Sequence, residues 1–239
     1  MKKIHYILFA ITILFFANSC SKFDKLNTNP DVPTSVSPDL LATTVLKNIY
    51  RFWNPNPTDW GTAQLWGKHC TNLQNNPNPY QYYSSYYPYG GFGGAQNLTA
   101  LKRMVEFAAG NPQLPSYEGL ALFLKASYGF STTLDMGDIP YSEAGMAEDG
   151  ITQPKYDKQA DVFVSVLADL KAAEEKFAQG VNFSGDIMLG GNAAKWRRLC
   201  NAMQLRVINT ISKKATADQK ARFAAIVAVL GSAHCWRRL

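Results

Sequence analysis

The sequence has few charged residues, few histidines and few cysteines, and each shortage excludes a class of protein. Charged side chains make up 18% of the 239 residues, and no run of Lys and Arg has the length of a nucleic-acid-binding arm. The three His and four Cys form neither a CxxC nor an HExxH motif, so no zinc site or disulfide framework is predicted. Disorder is excluded because 46% of the residues are hydrophobic. We expect a globular protein without nucleic acid, metal or cofactor.

Residues suited to nucleophilic catalysis are also scarce. His69 is the only credible base, since the other two His lie in the N-terminal 19 residues and near the chain end. It is adjacent to Cys70 on a predicted helix, and neighbouring side chains of a helix point apart. The glycines around Phe92 match neither GxGxxG nor a loop ending in GK[ST]. The sequence therefore gives little support for a Cys/His or Ser/His enzyme or for nucleotide binding.

The longest apolar run lies within residues 1–19. Lys2 and Lys3 precede an apolar stretch over 7–17, which is shorter than the about 20 residues that span a bilayer comfortably. Polar residues follow at once, as in an export signal. We therefore predict a signal peptide over 1–19 that does not remain as a membrane helix.

The end of this signal resembles a lipoprotein cleavage site. Small residues precede a cysteine in the sequence ANSC, which ends at Cys20, and a polar segment with two prolines follows. A cysteine at a new N-terminus accepts lipid, and several acyl chains hold a protein stably at a membrane. We predict lipidation of Cys20 and a tether over 20–37. The alternative is an ordinary secretory signal that ends near a cysteine.

Apolar residues in the mature chain recur with helical spacing, which predicts an all-α fold. The predicted helices cover about 38–52, 58–73, 95–109, 115–131, 157–177, 192–211 and 216–230. Helices of this length, joined in pairs by long irregular loops, suggest tetratricopeptide-like stacking. Because no strict 34-residue repeat is present, a generic α-bundle stays open as the alternative.

Several helix boundaries carry recognisable capping residues. Pro38 is predicted at the first helical position, Asp157 and Asn192 as N-caps, and Thr216 with Gln219 as a capping box. A loop is expected over about 134–156.

The predicted apolar stripes include Leu41, Val45, Ile49 and Phe52 in the first helix, Leu98, Leu101, Val105 and Ala108 in the third, Leu120, Phe123, Leu124, Ser127, Tyr128 and Ser131 in the fourth, and Phe223, Ile226, Val227 and Leu230 in the last.

A tyrosine-rich segment is the most distinctive loop of the chain. It lies between the second and third predicted helices and is rich in Pro, Gly and Asn. Tyrosine offers a flat apolar face and a hydroxyl, which suits a sugar ring. Packing on the helices or on a protein partner is the alternative, since tyrosine is also enriched at interfaces. The candidate ligand-binding residues are Trp60, Tyr80, Tyr82, Tyr83, Tyr86, Tyr87 and Tyr89.

A second loop, over 135–143, concentrates three carboxylates. Asp135, Asp138 and Glu143 could supply the acid and base of a glycoside hydrolase, whose two carboxylates flank the scissile bond. The structural alternative is a turn fixed by Pro140 in which the Asp side chains bond to backbone amides. We favour the structural interpretation.

Three segments together resemble one protein family. They are ANSC at the lipidation site, LDMGDIPYSEA followed by QPKYD, and GGNAAKWRRLCNAMQLRVINTIS. These segments are similar to the SusD/RagB family of nutrient-binding outer-membrane lipoproteins. The resemblance extends from about Cys20 to Ser212, and its most specific parts are residues 137–144 and Trp196 with the helix that follows.

The resemblance implies an all-α protein with tetratricopeptide-like helix pairs, a lipid anchor at Cys20 and no catalytic residue. Family members lie as lids on TonB-dependent outer-membrane transporters and capture glycans or other nutrients. We therefore expect a surface-exposed outer-membrane lipoprotein that passes a glycan or other nutrient to such a transporter. Family ligand loops vary, so the tyrosine-rich segment is not assigned by resemblance. The alternatives are a secreted glycoside hydrolase that uses the 135–143 carboxylates and a tetratricopeptide-type protein adaptor.

The family resemblance also predicts how much of the family's domain this sequence contains. Family members are longer, and the sequence departs from the family pattern after about Val227. We expect residues 38–239 to form a SusD-like α-helical domain that is incomplete at its C-terminus and exposes an apolar surface.

Overall fold

The structure is a computed structural model that describes residues 36–53 and 91–232. Its helices are α1 (Pro38–Trp53), α2 (Gln96–Phe107), α3 (Leu114–Met136), α4 (Gln159–Phe177), α5 (Ala193–Thr210) and α6 (Ala217–Ser232). Within these residues, β pairing is confined to an isolated bridge between Ile139 and Asp157. The predicted all-α class is confirmed. The helix predicted over 58–73 lies outside the described residues.

Each described helix packs against the next described helix, although residues 54–90, between α1 and α2, lie outside the described part of the chain. Contacts join α1 to α2, α2 to α3, α3 to α4, α4 to α5 and α5 to α6, and α3 also touches α5. The contact between α3 and α4 is the most extensive. Packing between successive helices is the arrangement of tetratricopeptide-like helix pairs, which confirms that prediction.

An aromatic cluster centred on Trp196 holds α3, α4 and α5 together. The indole is fully buried, stacks on Phe177 with ring centroids 5.8 Å apart, and meets Phe123 edge to face at 5.4 Å. A buried aromatic side chain removes about 150–250 Å² from water, which is worth roughly 4–6 kcal/mol at 25 cal/mol per Å². Trp196 therefore lies at the centre of the core.

The loop before α5 is organised around the carboxylate of Asp186. Asp186 accepts hydrogen bonds from the backbone N–H groups of Met188 (2.8 Å), Leu189 (3.2 Å) and Gly191 (2.8 Å), and from Nε1 of Trp196 (2.7 Å). Three backbone donors and the central indole are thus fixed by one side chain.

The same loop positions α1. The hydroxyl of Thr43 donates to the carbonyl oxygen of Gly185 at 2.8 Å. A Cβ at Gly185 would lie 2.1 Å from the carbonyl oxygen of Asp39, and its φ of +82° also favours glycine. Only glycine allows α1 to approach this closely.

The predicted caps of the last two helices are confirmed. The side chain of Asn192 accepts a hydrogen bond from the N–H of Lys195 at 2.9 Å. Thr216 and Gln219 form the reciprocal capping box, with N–H to oxygen distances of 2.9 and 3.3 Å. The first residue of each of these two helices could therefore be predicted from the sequence around it.

The predicted cap of α4 is wrong. Lys158, not Asp157, is the N-cap residue and makes no side-chain capping bond. The N–H of Gln159 instead donates to Oδ1 of Asp138 at 2.8 Å. Asp157 is not available because its carboxylate accepts hydrogen bonds from Tyr141 and Ser142. A carboxylate distant in sequence therefore caps this helix.

Three other expectations about the helices need correction. α3 continues to Met136 and so passes the predicted loop start at 134. Ser131, predicted on the apolar stripe of this helix, is exposed, and its hydroxyl donates to the carbonyl oxygens of Ser127 and Tyr128. Val227 on α6 is 45% exposed, whereas Ile226 beside it is buried. Among the described helices, none combines the length and apolar character needed to cross a bilayer.

Candidate ligand-binding surface

The residues predicted to bind lipid or ligand lie outside the described part of the chain. They are Cys20, Trp60, Tyr80, Tyr82, Tyr83, Tyr86, Tyr87 and Tyr89. Their roles therefore stay predictions. The structure does describe the residues that follow the tyrosine-rich segment directly, from Gly91 onward.

An aromatic surface lies where the chain enters α2, and we define it as Phe92, Tyr128 and Tyr156. Phe92 meets Tyr156 edge to face, with ring centroids 6.3 Å apart and an interplanar angle of 87°. Tyr156 is 62% exposed, and Phe92 and Tyr128 are half-buried. A Cβ at Gly94 would lie 2.6 Å from Cδ2 of Tyr128, so glycine lets the backbone lie against this ring. The surface presents aromatic faces, and one of its residues, Phe92, follows the tyrosine-rich segment closely in sequence.

Burial raises the pKa of Tyr128, and the nearby Tyr156 adds to this, although a hydrogen bond with Thr132 acts in the opposite direction. The Tyr128 hydroxyl is therefore protonated at neutral pH. It keeps both a donor and an acceptor for hydrogen bonds.

Tyr156 is fixed by the residues on either side of it. The N–H of Lys155 donates to Oε2 of Glu143 at 3.0 Å. Asp157 forms both hydrogen bonds of the bridge to Ile139, at 2.9 and 3.2 Å. An exposed ring on a fixed backbone loses little entropy when it binds a ligand.

The carboxylates of the 135–143 loop are mostly engaged in holding the loop. Asp138 accepts from the backbone of Gln159, and Glu143 accepts from Lys155 and lies 3.6 Å from its Nζ. Asp135 is exposed near the end of α3. For Asp138, the structural interpretation as an acceptor for a backbone amide is confirmed; Glu143 has the same role, which was not predicted.

Asp157 is the most highly bonded carboxylate of this region. Its oxygens accept from the N–H of Tyr141 at 3.1 Å, and from the N–H and hydroxyl of Ser142 at 2.6 and 2.9 Å. Burial alone would raise the pKa of Asp157, but these hydrogen bonds and the Lys155 charge together lower it. Asp157 is therefore ionised at neutral pH and holds the loop below Tyr156.

A groove of about 500 Å³ runs between α2, α3 and the loop that contains Ser142 and Met146. Ion pairs lie at its rim, with Lys102 2.6 Å from Asp149 and Lys176 2.5 Å from Glu118. Its apolar lining is Leu98, Leu101, Val105, Ala121, Leu122, Ala144 and Met146. A concave, mostly apolar groove with a few polar groups suits a small ligand. Val105, predicted to be on the buried stripe, is half-buried here.

Sequence reasoning missed Phe92, Tyr156 and the groove. Tyr156 lies in QPKYD and Phe92 lies among glycines, so both were visible as single aromatic residues. The two residues are 64 positions apart in sequence, and only the fold brings their rings into contact. Within residues 36–53 and 91–232, no group of three His, Cys, Asp or Glu side chains is arranged to hold a metal ion.

Comparison with known proteins gives one family and several similar structures. The profile of the SusD-like family described as "Starch-binding associating with outer membrane" matches residues 30–234. A SusD homologue from Bacteroides fragilis is 35% identical, with a TM-score of 0.71, over 81% of this chain and 40% of its own. A second SusD homologue from the same species is 30% identical, with a TM-score of 0.65 and the same coverages of 81% and 40%.

A Bacteroides vulgatus protein described as an outer-membrane protein is 33% identical, with a TM-score of 0.63, over 81% of this chain and 41% of its own. The chain therefore spans about two fifths of the length of these similar structures. No curated protein matches it.

Proposed function

Because the chain belongs to the SusD-like family, we propose that it is a non-catalytic outer-membrane binding protein that captures a glycan or another nutrient. The family match over 30–234 carries this proposal. The aromatic surface supports it, because an exposed ring offers the apolar face on which a sugar stacks. The matched family is itself described as starch-binding, so starch fragments are the first ligands to test.

The ligand lies, in this proposal, on Phe92 and Tyr156 and on the tyrosines of the preceding segment. Tyr156 is 62% exposed and Phe92 touches it, so a sugar ring can reach both. Tyr128, below them, keeps a protonated hydroxyl that can bond to a sugar hydroxyl.

Affinity electrophoresis in gels that contain starch or other glycans tests this site. We expect Tyr156→Ala to weaken glycan binding, measured from the retardation, by about 5-fold or more, since stacking on one aromatic ring is worth about 1–3 kcal/mol in other stacked complexes. Val164→Ala is the matched control because Val164 is also exposed, at 57%, but lies on α4. Equal retardation of both variants would exclude Tyr156 from the site.

The tyrosine-rich segment needs its own variants. Alanine at Tyr82, Tyr83, Tyr86 and Tyr87 is expected to weaken glycan binding without changing the melting temperature. A fall in melting temperature with unchanged binding would instead assign these rings to packing on the helices.

We further propose that a lipid on Cys20 holds the protein at the cell surface and that a TonB-dependent transporter receives the ligand. Mass spectrometry of the membrane fraction tests the lipid, and Cys20→Ser should release the protein from membranes. Removal of the anchor would end co-purification with a transporter even if the two proteins did not dock, because the protein would leave the membrane. Docking is therefore tested by a pull-down with the detergent-solubilised transporter.

The non-catalytic assignment has a direct test. Purified protein is expected to release no reducing sugar from glycans that it binds. Hydrolysis that disappears in Asp138→Asn or Glu143→Gln would overturn the assignment.

A further inference from the structure

We propose that a cavity between α4, α5 and α6 binds a small organic carboxylate. The cavity has a volume of about 160 Å³. This is roughly five times the ~30 Å³ share of a water molecule in the liquid, so it admits a carboxylate group and its first carbon atoms. It is lined by Glu174, Arg197, Asn201, Arg222, Ala225, Ile226 and Val229.

Two guanidinium groups share one carboxylate at this cavity. Nε of Arg197 lies 2.6 Å from Oε1 of Glu174, and Nη2 of Arg222 lies 3.6 Å from Oε2. The Glu174 side chain is 11% exposed, so its charge is largely removed from water. One negative charge against two positive charges leaves these three side chains with a net charge of +1. This excess favours an anion.

Arg222 is held in place but is not fully hydrogen-bonded. Its Nε donates to Oε1 of Gln204 at 3.0 Å, and Gln204 is only 1% exposed. Among the described residues, Nη2 of Arg222 is enclosed and makes no hydrogen bond. An enclosed donor without an acceptor is unfavourable. A ligand carboxylate would accept from Nη2 of Arg222, while Glu174 keeps its hydrogen bond to Arg197.

The shape and lining favour an organic carboxylate over an inorganic ion. Guanidinium groups bind planar carboxylates through two parallel N–H donors. Ala225, Ile226 and Val229 form an apolar wall beside them, which suits the carbon atoms attached to such a group. The chemistry is shared by a free short-chain acid and by an acidic side chain of a polypeptide.

Titration with sodium propionate at constant ionic strength tests the site, with sodium chloride as the salt control. We follow the Nε–H signals of Arg197 and Arg222 by NMR, with Arg103 as an internal control because its ion pairs are with Glu106 and Glu148. Propionate should shift the first two signals saturably and leave the third unchanged. Equal shifts with chloride, or a linear shift of all three, would overturn the proposal.

Two variants and a second probe complete the test. Arg197→Gln keeps the Gln204 contact of Arg222 and should weaken propionate binding at least 5-fold, whereas Arg103→Gln should not. Unchanged binding in Arg197→Gln would also overturn the proposal. An acetylated and amidated glutamate is compared with propionate: tighter binding of glutamate assigns the site to an acidic side chain, and tighter binding of propionate assigns it to a free acid.

Discussion

The loop around Asp186 gives the sharpest prediction about stability. In Asp186→Asn, one oxygen is retained and can still accept from the N–H groups of Met188 and Leu189. The new amide group then faces the N–H of Gly191 and the indole N–H of Trp196. In the native protein these two donors lie 2.8 and 2.7 Å from Oδ2. Two buried donors would lose their acceptor.

The expected loss follows from the number of donors. Hydrogen bonds to a charged group contribute about 1.5–3 kcal/mol each, so two of them correspond to about 3–6 kcal/mol of unfolding free energy. In a chain of this size 1 kcal/mol shifts the melting temperature by about 2–4 °C, which gives a fall of about 6–24 °C. Asp149→Asn is the control: its carboxylate is 44% exposed and pairs with Lys102, so we expect a loss below about 1 kcal/mol.

A double-mutant cycle separates the hydrogen bond from general disruption. Trp196→Phe removes the indole N–H and keeps an aromatic ring, so Asp186→Asn should cost about 1.5–3 kcal/mol less in that background. Urea unfolding monitored by circular dichroism measures the four proteins of the cycle and the Asp149→Asn control. Additive losses, or a loss for Asp186→Asn no larger than that for Asp149→Asn, would refute the reasoning.

Three further predictions concern packing, pH and reactivity. Gly129→Ala should destabilise the protein by about 1–3 kcal/mol in calorimetry, because the new Cβ would lie 2.1 Å from Cε2 of the buried Tyr141 ring. The lowered pKa of Asp157 means that its stabilisation is fully present above pH about 4 and is lost as the pH falls further; Asp157→Asn should flatten that acid dependence in urea unfolding. Burial, followed by the charge of Glu174, raises the pKa of Cys200, so peptide mass spectrometry should find this thiol unmodified by iodoacetamide until the protein is unfolded.

The helices could be predicted because their signals are local. Apolar spacing over three or four turns placed α4 and α5, and Asn192 and the Thr216–Gln219 box marked where helices begin. The buried faces were also recovered, as the full burial of Val45 and Leu120 illustrates. Such information lies within about 20 consecutive residues, so a sequence is sufficient to read it.

The roles of the loop carboxylates could not be predicted in the same way. Asp157 precedes a helical pattern and has the right chemistry for an N-cap, yet Asp138 performs that role from 21 positions away. Both assignments satisfy the first N–H groups of α4, and local sequence does not distinguish them. The choice depends on Tyr141 and Ser142, whose N–H groups compete for the Asp157 carboxylate.

The aromatic surface was hidden for a related reason, and this links the loop to the proposed function. Tyr156 follows a lysine bonded to Glu143 and precedes the bridge between Asp157 and Ile139, so its backbone is fixed by residues that a sequence reader assigns to turn formation. Carboxylates that first suggest glycoside hydrolysis here hold an exposed ring in one place. If Tyr156 stacks on a sugar, then Glu143 and Asp157 contribute to binding because they fix the backbone on either side of that ring.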